Sequence, residues 1–170
     1  MAKIVGTADI KDAAMKFLEH RMRTESEMLT KLKSLGYAEE QIEEVMKLLR
    51  SYHYIDDHHY ALEYIDYASA KGRGRLRIKQ ELLQKGIDRE TVEDAFVERA
   101  ESYGDAYDYK DSERERALEQ ARKVCSGLDI DEGGLTEKQK AKIARRLASL
   151  GYSGDAAFYA IGRIREELKD

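Results

Sequence analysis

The sequence of 170 residues predicts an all-α fold in which three tandem three-helix repeats form an elongated, curved body. Three observations predict it. A phrase that ends at a glycine occurs three times, amphipathic segments of helical period flank every copy, and the chain has no proline. Without proline, glycine is the strongest helix breaker available, so we expect helices to run from one glycine to the next.

The recurring phrase has an apolar residue four and eight positions before its glycine and another directly after it. It reads KLKSLGY at 31–37, ELLQKGI at 81–87 and RLASLGY at 146–152. The residues in question are Leu32, Leu82 and Leu147, then Met28, Ile78 and Ile143, then Tyr37, Ile87 and Tyr152. This pattern predicts a helix that ends at a glycine of positive φ, followed by an apolar contact.

A second helix is predicted after each glycine, because apolar residues recur six and ten positions beyond it. They are Ile42, Val92 and Ala157, then Met46, Phe96 and Ile161. Asp88 and Ser153 are candidate N-caps of these helices. Three capping boxes predict further helix starts, namely Thr24 with Glu27, Ser112 with Glu115, and Thr136 with Gln139.

Another amphipathic segment precedes each glycine-ended helix, so the sequence predicts three helices per repeat. The repeats span 8–52, 55–101 and 112–168, with joins at 51–56 and 102–111 and a loop at 126–134. Units of about 45 residues bury little apolar surface alone, and we expect neighbours to pack end to end. Such an array favours a protein that binds other macromolecules.

Composition restricts the possible functions. The formal net charge of -4 argues against a dedicated nucleic-acid domain of high pI. Cys125 is the single cysteine, which excludes an intramolecular disulfide and a multi-thiolate metal site; we expect it to be a small buried residue. No apolar run is long enough to span a membrane and no signal segment is evident, so we expect a cytoplasmic protein.

One cluster has the chemistry of a metal site. It contains Asp56, Asp57, His58 and His59, with His53 nearby. Adjacent helical residues point about 100° apart, so these side chains converge poorly on one ion. The alternative interpretation is that an aspartate caps a helix that starts here. We expect no metal and no cofactor.

Two basic segments are the candidate binding sites for protein or DNA. The first basic segment contains Lys71, Arg73, Arg75, Arg77 and Lys79, and the second contains Lys138, Lys140, Lys142, Arg145 and Arg146. Guanidinium groups can pair with carboxylates or with phosphates. Both segments are also compatible with ordinary solvated helix surfaces. No nucleotide-binding glycine motif and no nucleophile motif is present, so we expect no catalysis.

Three stretches occur in an order and spacing that is specific in combination. They read HRMRTESEMLTKLKSLGY at 20–37, YHYIDDHHYALEYI at 52–65 and GRGRLRIKQELLQKGI at 72–87. Together they resemble the RecX family of recombinase regulators. The resemblance implies a regulator that binds the RecA recombinase and its filament on single-stranded DNA, and we expect the chain to be a monomer. It further implies a limit on filament extension and activity, in DNA repair, recombination and the SOS response.

The same resemblance makes the Gly-Arg segment the expected contact with the recombinase or its DNA, with direct binding to single-stranded DNA weak or indirect. The competing hypothesis is a DNA-binding helical regulator that acts through the basic segments. A steep dependence of DNA affinity on salt would favour that alternative.

Overall fold

The structure is a computed structural model that describes residues 7–102, 109–131 and 133–169. This part of the chain contains nine α-helices and no β-strand, which confirms the predicted all-α class. The helices are α1 (Thr7–Leu18), α2 (Glu25–Ser34), α3 (Glu39–Ser51), α4 (Asp57–Ala70), α5 (Arg75–Gln84), α6 (Arg89–Ser102), α7 (Tyr109–Cys125), α8 (Glu137–Leu150) and α9 (Gly154–Glu167). None of these helices has the length and apolar character that a membrane span requires.

The chain divides into two compact units. Unit 1 comprises Met1–Glu63 and Leu82–Ala95, and unit 2 comprises Tyr64–Glu81 and Phe96–Asp170. The division into repeats at 8–52, 55–101 and 112–168 therefore stays a prediction. Most of the predicted join at 102–111 lies outside the described residues.

Each unit has an apolar core on the helix faces that the sequence indicates. A core of unit 1 lies among α1, α2 and α3, and consists of Ile10, Ala14, Met28, Leu32, Ile42, Val45, Met46, Leu49 and Ile55. A core of unit 2 lies among α7, α8 and α9, and consists of Ala117, Leu118, Ala121, Leu135, Ile143, Leu147, Tyr152, Ala156, Ala160 and Ile164. The half-buried Cys125 packs against the second core as a free thiol.

All three predicted glycine ends are confirmed. Gly36, Gly86 and Gly151 each have φ of +84°, a conformation that side chains with a Cβ rarely adopt. The backbone amide of the residue after each glycine donates to the carbonyl of the leucine that stands four residues before that glycine. The N···O distances are 3.5, 3.3 and 3.1 Å in chain order. The glycine phrase thus ends α2, α5 and α8 in the same way.

Four of the predicted helix caps are also confirmed. The hydroxyl of Thr24 accepts from the amide of Glu27, and that of Thr136 accepts from the amide of Gln139. Asp88 Oδ1 accepts from the Thr91 amide at 2.9 Å, and the Ser153 hydroxyl accepts from the Ala156 amide at 3.2 Å. The described residues of the predicted loop at 126–134 lie outside the helices, as expected.

The prediction that a helix starts at Ser112 is wrong. Helix α7 already begins at Tyr109, so Ser112 lies inside it. Its hydroxyl accepts from Arg116 Nη1 at 3.0 Å, one turn further along the same helix. The Ser-x-x-Glu pattern of a capping box can therefore also occur inside a helix, where the serine hydroxyl forms its hydrogen bond with a side chain on the same face.

The apolar stripe of α9 also differs from the prediction by one position. The buried residues are Ala156, Ala160 and Ile164, whereas the predicted Ala157 and Ile161 are half-buried at the edge of the core. Helix α9 is therefore rotated about its axis relative to the phase that the repeat predicts.

The repeat also includes a tertiary contact. The same junction between two glycine-ended helices occurs once in unit 1 and once in unit 2. In unit 1 the Thr24 hydroxyl donates to the carbonyl of Lys85 at 2.8 Å. In unit 2 the Gly74 amide donates to the carbonyl of Leu150 at 2.8 Å. Thr24 and Gly74 each stand twelve residues before the glycine of their own helix, and the acceptors stand directly before the next glycine. The start of one glycine-ended helix therefore contacts the end of the next.

A carboxylate completes each junction. Asp57 Oδ1 accepts from the Glu25 amide at 2.8 Å, and Glu113 Oε1 accepts from the Arg75 amide at 3.1 Å. Glu25 and Arg75 occupy the same repeat position, eleven residues before their glycines. Asp57 stands 29 residues before Gly86 and Glu113 stands 38 before Gly151, and the nine extra residues match the loop at 126–134. The two carboxylates are thus repeat equivalents.

Candidate functional site

The first basic segment begins in the turn before α5, and its Arg73 is held inside unit 2. Arg73 Nη1 donates to the Tyr64 hydroxyl oxygen at 3.0 Å and to Glu81 Oε2 at 2.9 Å. The Tyr64 hydroxyl donates in turn to the same Glu81 oxygen at 2.9 Å. The Arg73 side chain is only 28% exposed. Arg73 therefore links α4 to α5.

The ionisation of this network favours the paired state. Burial opposes the charge on Glu81, but hydrogen bonds from Arg77 and Tyr64 and the charge of Arg73 hold its pKa below the usual value. Burial and the bond to Glu81 raise the pKa of Tyr64. At neutral pH the network consequently contains an ionised carboxylate, a neutral phenol and charged guanidinium groups.

The other cations of the first basic segment also have partners within unit 2. The guanidinium of Arg75 lies 4.8 Å from the centre of the Phe96 ring, and the ammonium of Lys71 lies 5.8 Å from that of Tyr67. Arg77 Nε donates to Glu81 Oε1 at 3.0 Å. Lys79 is half-buried. Most of this segment thus stabilises the fold, and Arg77, which is 44% exposed, is its most accessible arginine.

The second basic segment is more open. Lys138, Lys142, Arg145 and Arg146 are exposed on α8, and their spacing places them on one side of the helix. Lys140 differs, since its ammonium pairs with Glu137 at 2.6 Å. In the described part of the chain, Lys142, Arg145 and Arg146 form no ion pair with a carboxylate. Their charges are therefore accessible to a ligand.

The junction in unit 2 brings the two basic segments together. The Leu76 amide donates to the carbonyl of Gly151 at 3.0 Å, beside the bond between Gly74 and Leu150. Arg77 Nη1 reaches the carbonyl of Ser149 at 3.4 Å, one turn beyond Arg145 and Arg146. We call the surface formed by Arg77, Lys142, Arg145 and Arg146 the cationic face.

The sequence predicted the members of the cationic face but not their proximity. Residues 77 and 145 are far apart in the chain, and no local signal indicates that they meet. Glu81 was missed altogether as a partner, although its position four residues after Arg77 on a helix could have indicated the pair. Tyr64 and Glu113 had no local signal, because they belong to other helices.

The Asp/His cluster is a helix start, as the alternative interpretation predicted. Asp56 Oδ1 accepts from the His59 amide at 2.9 Å and so caps α4. Asp57 Oδ1 accepts from the Glu25 amide at the start of α2. Burial and neighbouring acids raise the pKa of Asp57, although the bond from the Glu25 amide opposes this. Across residues 7–102, 109–131 and 133–169, no group of three or more His, Cys, Asp or Glu could hold a metal ion.

Comparison with known proteins identifies the family. Residues 11–49 match the model of the first three-helix domain of RecX, and residues 56–95 match that of the second. The regulatory protein RecX of Vibrio vulnificus is 32% identical over 151 residues, which cover 89% of this chain and 90% of that protein. The chain belongs to the RecX family. The resemblance in the sequence is thereby confirmed.

Further RecX proteins support the fold along most of the chain. The crystal structure of RecX from Lactobacillus salivarius has a TM-score of 0.77 at 26% identity, and the match covers 95% of this chain and 96% of that one. A RecX protein of Clostridium botulinum Alaska E43 is 32% identical over 145 residues. This match covers 85% of the chain but only 63% of the clostridial protein. The chain thus spans less than two thirds of that longer relative.

Proposed function

We propose that the chain is a regulatory protein that binds the RecA recombinase and its filament on single-stranded DNA. Binding limits filament extension and recombinase activity in DNA repair and recombination, without catalysis by the chain itself. Membership of the RecX family is the observation that carries this proposal, because the relatives are described as regulatory proteins. The cationic face is the surface that we assign to the interaction.

The cationic face suits this role better than the rest of the first basic segment. Arg73 is held by Tyr64 and Glu81, so its removal disturbs the fold as well as any binding. Arg145 and Arg146 are exposed, and the carboxylates of the described residues leave their charges unpaired. An exposed guanidinium without a carboxylate partner can form bidentate contacts with carboxylates or phosphates of a filament, and these contacts break no ion pair of its own protein.

The inhibitory effect would arise from several modest contacts made together. Linked binding sites raise one another's effective concentration, so a chain that contacts neighbouring recombinase subunits binds more tightly than any single contact allows. A bound chain would then block the addition of subunits to the filament.

The test is RecA-driven ATP hydrolysis on single-stranded DNA, measured against the concentration of this protein. We expect inhibition by the natural chain, and a roughly tenfold higher inhibitory concentration for the double variant Arg145→Ala, Arg146→Ala. A matched control is Arg122→Ala, Arg163→Ala, which removes two exposed arginines that pair with carboxylates. Absence of inhibition by the natural chain would contradict the proposal, as would equal effects of the two double variants.

A DNA-binding regulator is the second candidate function, and the exposed guanidinium groups of Arg145 and Arg146 favour it. The formal net charge of -4 opposes binding to naked DNA. A salt titration with naked single-stranded DNA separates the candidates. Tight binding with a steep salt dependence that the Arg145→Ala, Arg146→Ala variant loses would favour direct DNA binding.

A further inference from the structure

Helix α9 exposes an aromatic side chain where the other two glycine phrases are followed by an acid. Phe158 is 82% exposed, more than any other large apolar side chain in the part of the chain that the structure describes. It stands seven residues after its glycine, and the equivalent residues after the first two glycines are Glu43 and Glu93. A single exposed apolar side chain has no special meaning, but one within a larger apolar surface indicates an interaction site.

The surface beside Phe158 is apolar too. Ala157 and Ile161 lie next to it on α9, and both are half-buried at the edge of the core. The rotation of α9 relative to the repeat turns these two residues away from the centre of the core. Helix α9 thus has apolar side chains over a wider arc than the core of unit 2 covers.

The equivalent positions in unit 1 are charged. They line a groove between α2 and α3, three residues before the first glycine and three and seven residues after it, and are Lys33, Glu39 and Glu43. The equivalents on α8 and α9 are Ala148, Gly154 and Phe158. The third glycine phrase thus has small or apolar residues where the first has charges.

A glycine inside α9 lies on the same side as Phe158. Gly162 stands four residues after Phe158, and a Cβ placed on it would meet no atom within 4 Å. Glycine in a helix interior destabilises the helix relative to alanine, and no neighbour within the chain requires it here. It permits the close approach of a backbone from outside. We call the surface formed by Ala148, Gly154, Ala157, Phe158, Ile161 and Gly162 the apolar face.

The apolar face adjoins the cationic face on α8. Arg145 is exposed and stands three residues before Ala148, and its Nε donates to the carbonyl of Ala141 at 3.2 Å. Residues three and four apart are neighbours on a helix, so this arginine borders the apolar face. A partner that covers both surfaces is complementary to them when it presents apolar side chains next to carboxylates.

We propose that the apolar face binds the recombinase protein itself, through an amphipathic segment that carries apolar side chains beside acidic ones. This proposal rests on the proposed function and names the part of the surface that contacts protein. Phe158 is the anchor that inserts into a pocket of the partner. The cationic face beside it pairs with the acidic side chains of the same segment.

Two other occupants match the apolar face less well. At a two-fold interface between copies of this chain, both copies bring the same positive charge of Arg145 to the contact, and each copy has a formal net charge of -4. A base of single-stranded DNA can stack on one ring. Ala157 and Ile161, however, offer nothing to a hydrated phosphate backbone.

The test compares the natural full chain with Phe158→Ala in the inhibition of RecA-driven ATP hydrolysis on single-stranded DNA. We expect an inhibitory concentration about thirtyfold higher for the variant, because it lacks an aromatic anchor. The ratio should persist at high salt, whereas the effect of Arg145→Ala, Arg146→Ala should shrink as salt screens the charges. The matched control is Tyr52→Ala, which removes an aromatic side chain that is 67% exposed in unit 1 and should leave inhibition unchanged.

Gly162→Ala provides a second measurement in which stability and binding change in opposite directions. The midpoint of thermal unfolding should rise by about 2–4 °C, because alanine favours the helix and its Cβ has space. Inhibition should nevertheless weaken about fivefold, because the added methyl group keeps the partner's backbone away. A gain in stability without any loss of inhibition would contradict the proposed contact.

Equal inhibition by the natural chain and Phe158→Ala would overturn the proposal and leave the proposed function intact. Absence of inhibition by the natural chain would overturn both. Sedimentation equilibrium and binding to naked single-stranded DNA examine the other occupants. A natural chain that dimerises while Phe158→Ala stays monomeric would assign the apolar face to a second copy, and a loss of naked-DNA affinity in Phe158→Ala would assign it to bases. Either result would contradict a contact with the recombinase.

Discussion

At the scale of residues, basic side chains that look alike in the sequence have different environments. Arg73 is enclosed by Tyr64 and Glu81, whereas Arg146 is exposed on α8. The sequence contains the spacing of Arg77 and Glu81, which a helix places together. It contains no local sign of the contact between Arg73 and Tyr64, because that contact depends on how α4 packs against α5. Composition alone therefore could not separate structural cations from accessible ones.

Tyr152 gives a prediction at this scale. Its hydroxyl is buried and donates to the carbonyl of Gly72 at 3.1 Å, and burial raises its pKa to about 12. The folded state thus disfavours the phenolate, which the unfolded chain forms from about pH 10. The contribution of the neutral phenol to stability is complete below pH 10 and is lost as the pH rises towards 12.

Tyr152→Phe should be less stable than the natural chain at pH 8 by about 1 kcal/mol, because it lacks the hydrogen bond. The deficit should shrink or reverse between pH 10 and 11.5. Denaturant unfolding at several pH values measures this difference. A deficit that stays constant over that range would show that Tyr152 titrates normally.

At the scale of elements, the sequence predicted helix ends better than helix phases and partners. Glycine ends and four caps depend on residues a few positions apart, so their signals are local. The start of α7 was predicted wrongly because Ser112 can bond within the helix to Arg116. The phase of α9 was missed because the core, and not the repeat, selects Ala156 and Ala160 for burial.

The repeated junction gives the three equivalent glycines different neighbours, so their replacement by alanine should cost different amounts of stability. Each has φ of +84°, so replacement by alanine should cost about 1 kcal/mol from backbone strain alone. At Gly36 nothing lies within 4 Å of an added Cβ, so no further cost is expected. At Gly86 the Cβ would overlap Ser26, and at Gly151 it would overlap Arg77. These two variants should lose about 2–4 kcal/mol in total.

A second substitution distinguishes the junctions from a general intolerance of alanine. The clash at Gly86 involves the side chain of Ser26, so Ser26→Gly should restore part of the stability of Gly86→Ala. The clash at Gly151 includes the backbone of Arg77, and truncation of Arg77 should not restore Gly151→Ala. Free energies of unfolding from denaturant titration provide the comparison. Equal losses at all three glycines would contradict the junction.

At the scale of the whole molecule, the sequence predicted the fold class and the family but not the arrangement of the candidate surface. Three motif stretches sufficed for the family, because their order and spacing are specific together. The cationic face depends on the contact between the start of α5 and the end of α8, which joins residues more than seventy positions apart, such as Gly74 and Leu150. Only a folded structure shows that Arg77 and Arg146 belong to one surface.

The most direct test of the proposed function is co-sedimentation with RecA filaments assembled on single-stranded DNA, compared with the same DNA alone. The natural chain should pellet with filaments at concentrations at which the naked strand leaves it in the supernatant. The Arg145→Ala, Arg146→Ala variant should need about tenfold more protein for equal pelleting, with unchanged helicity. Equal pelleting with naked DNA, or none with filaments, would contradict a regulator that acts by binding the recombinase filament.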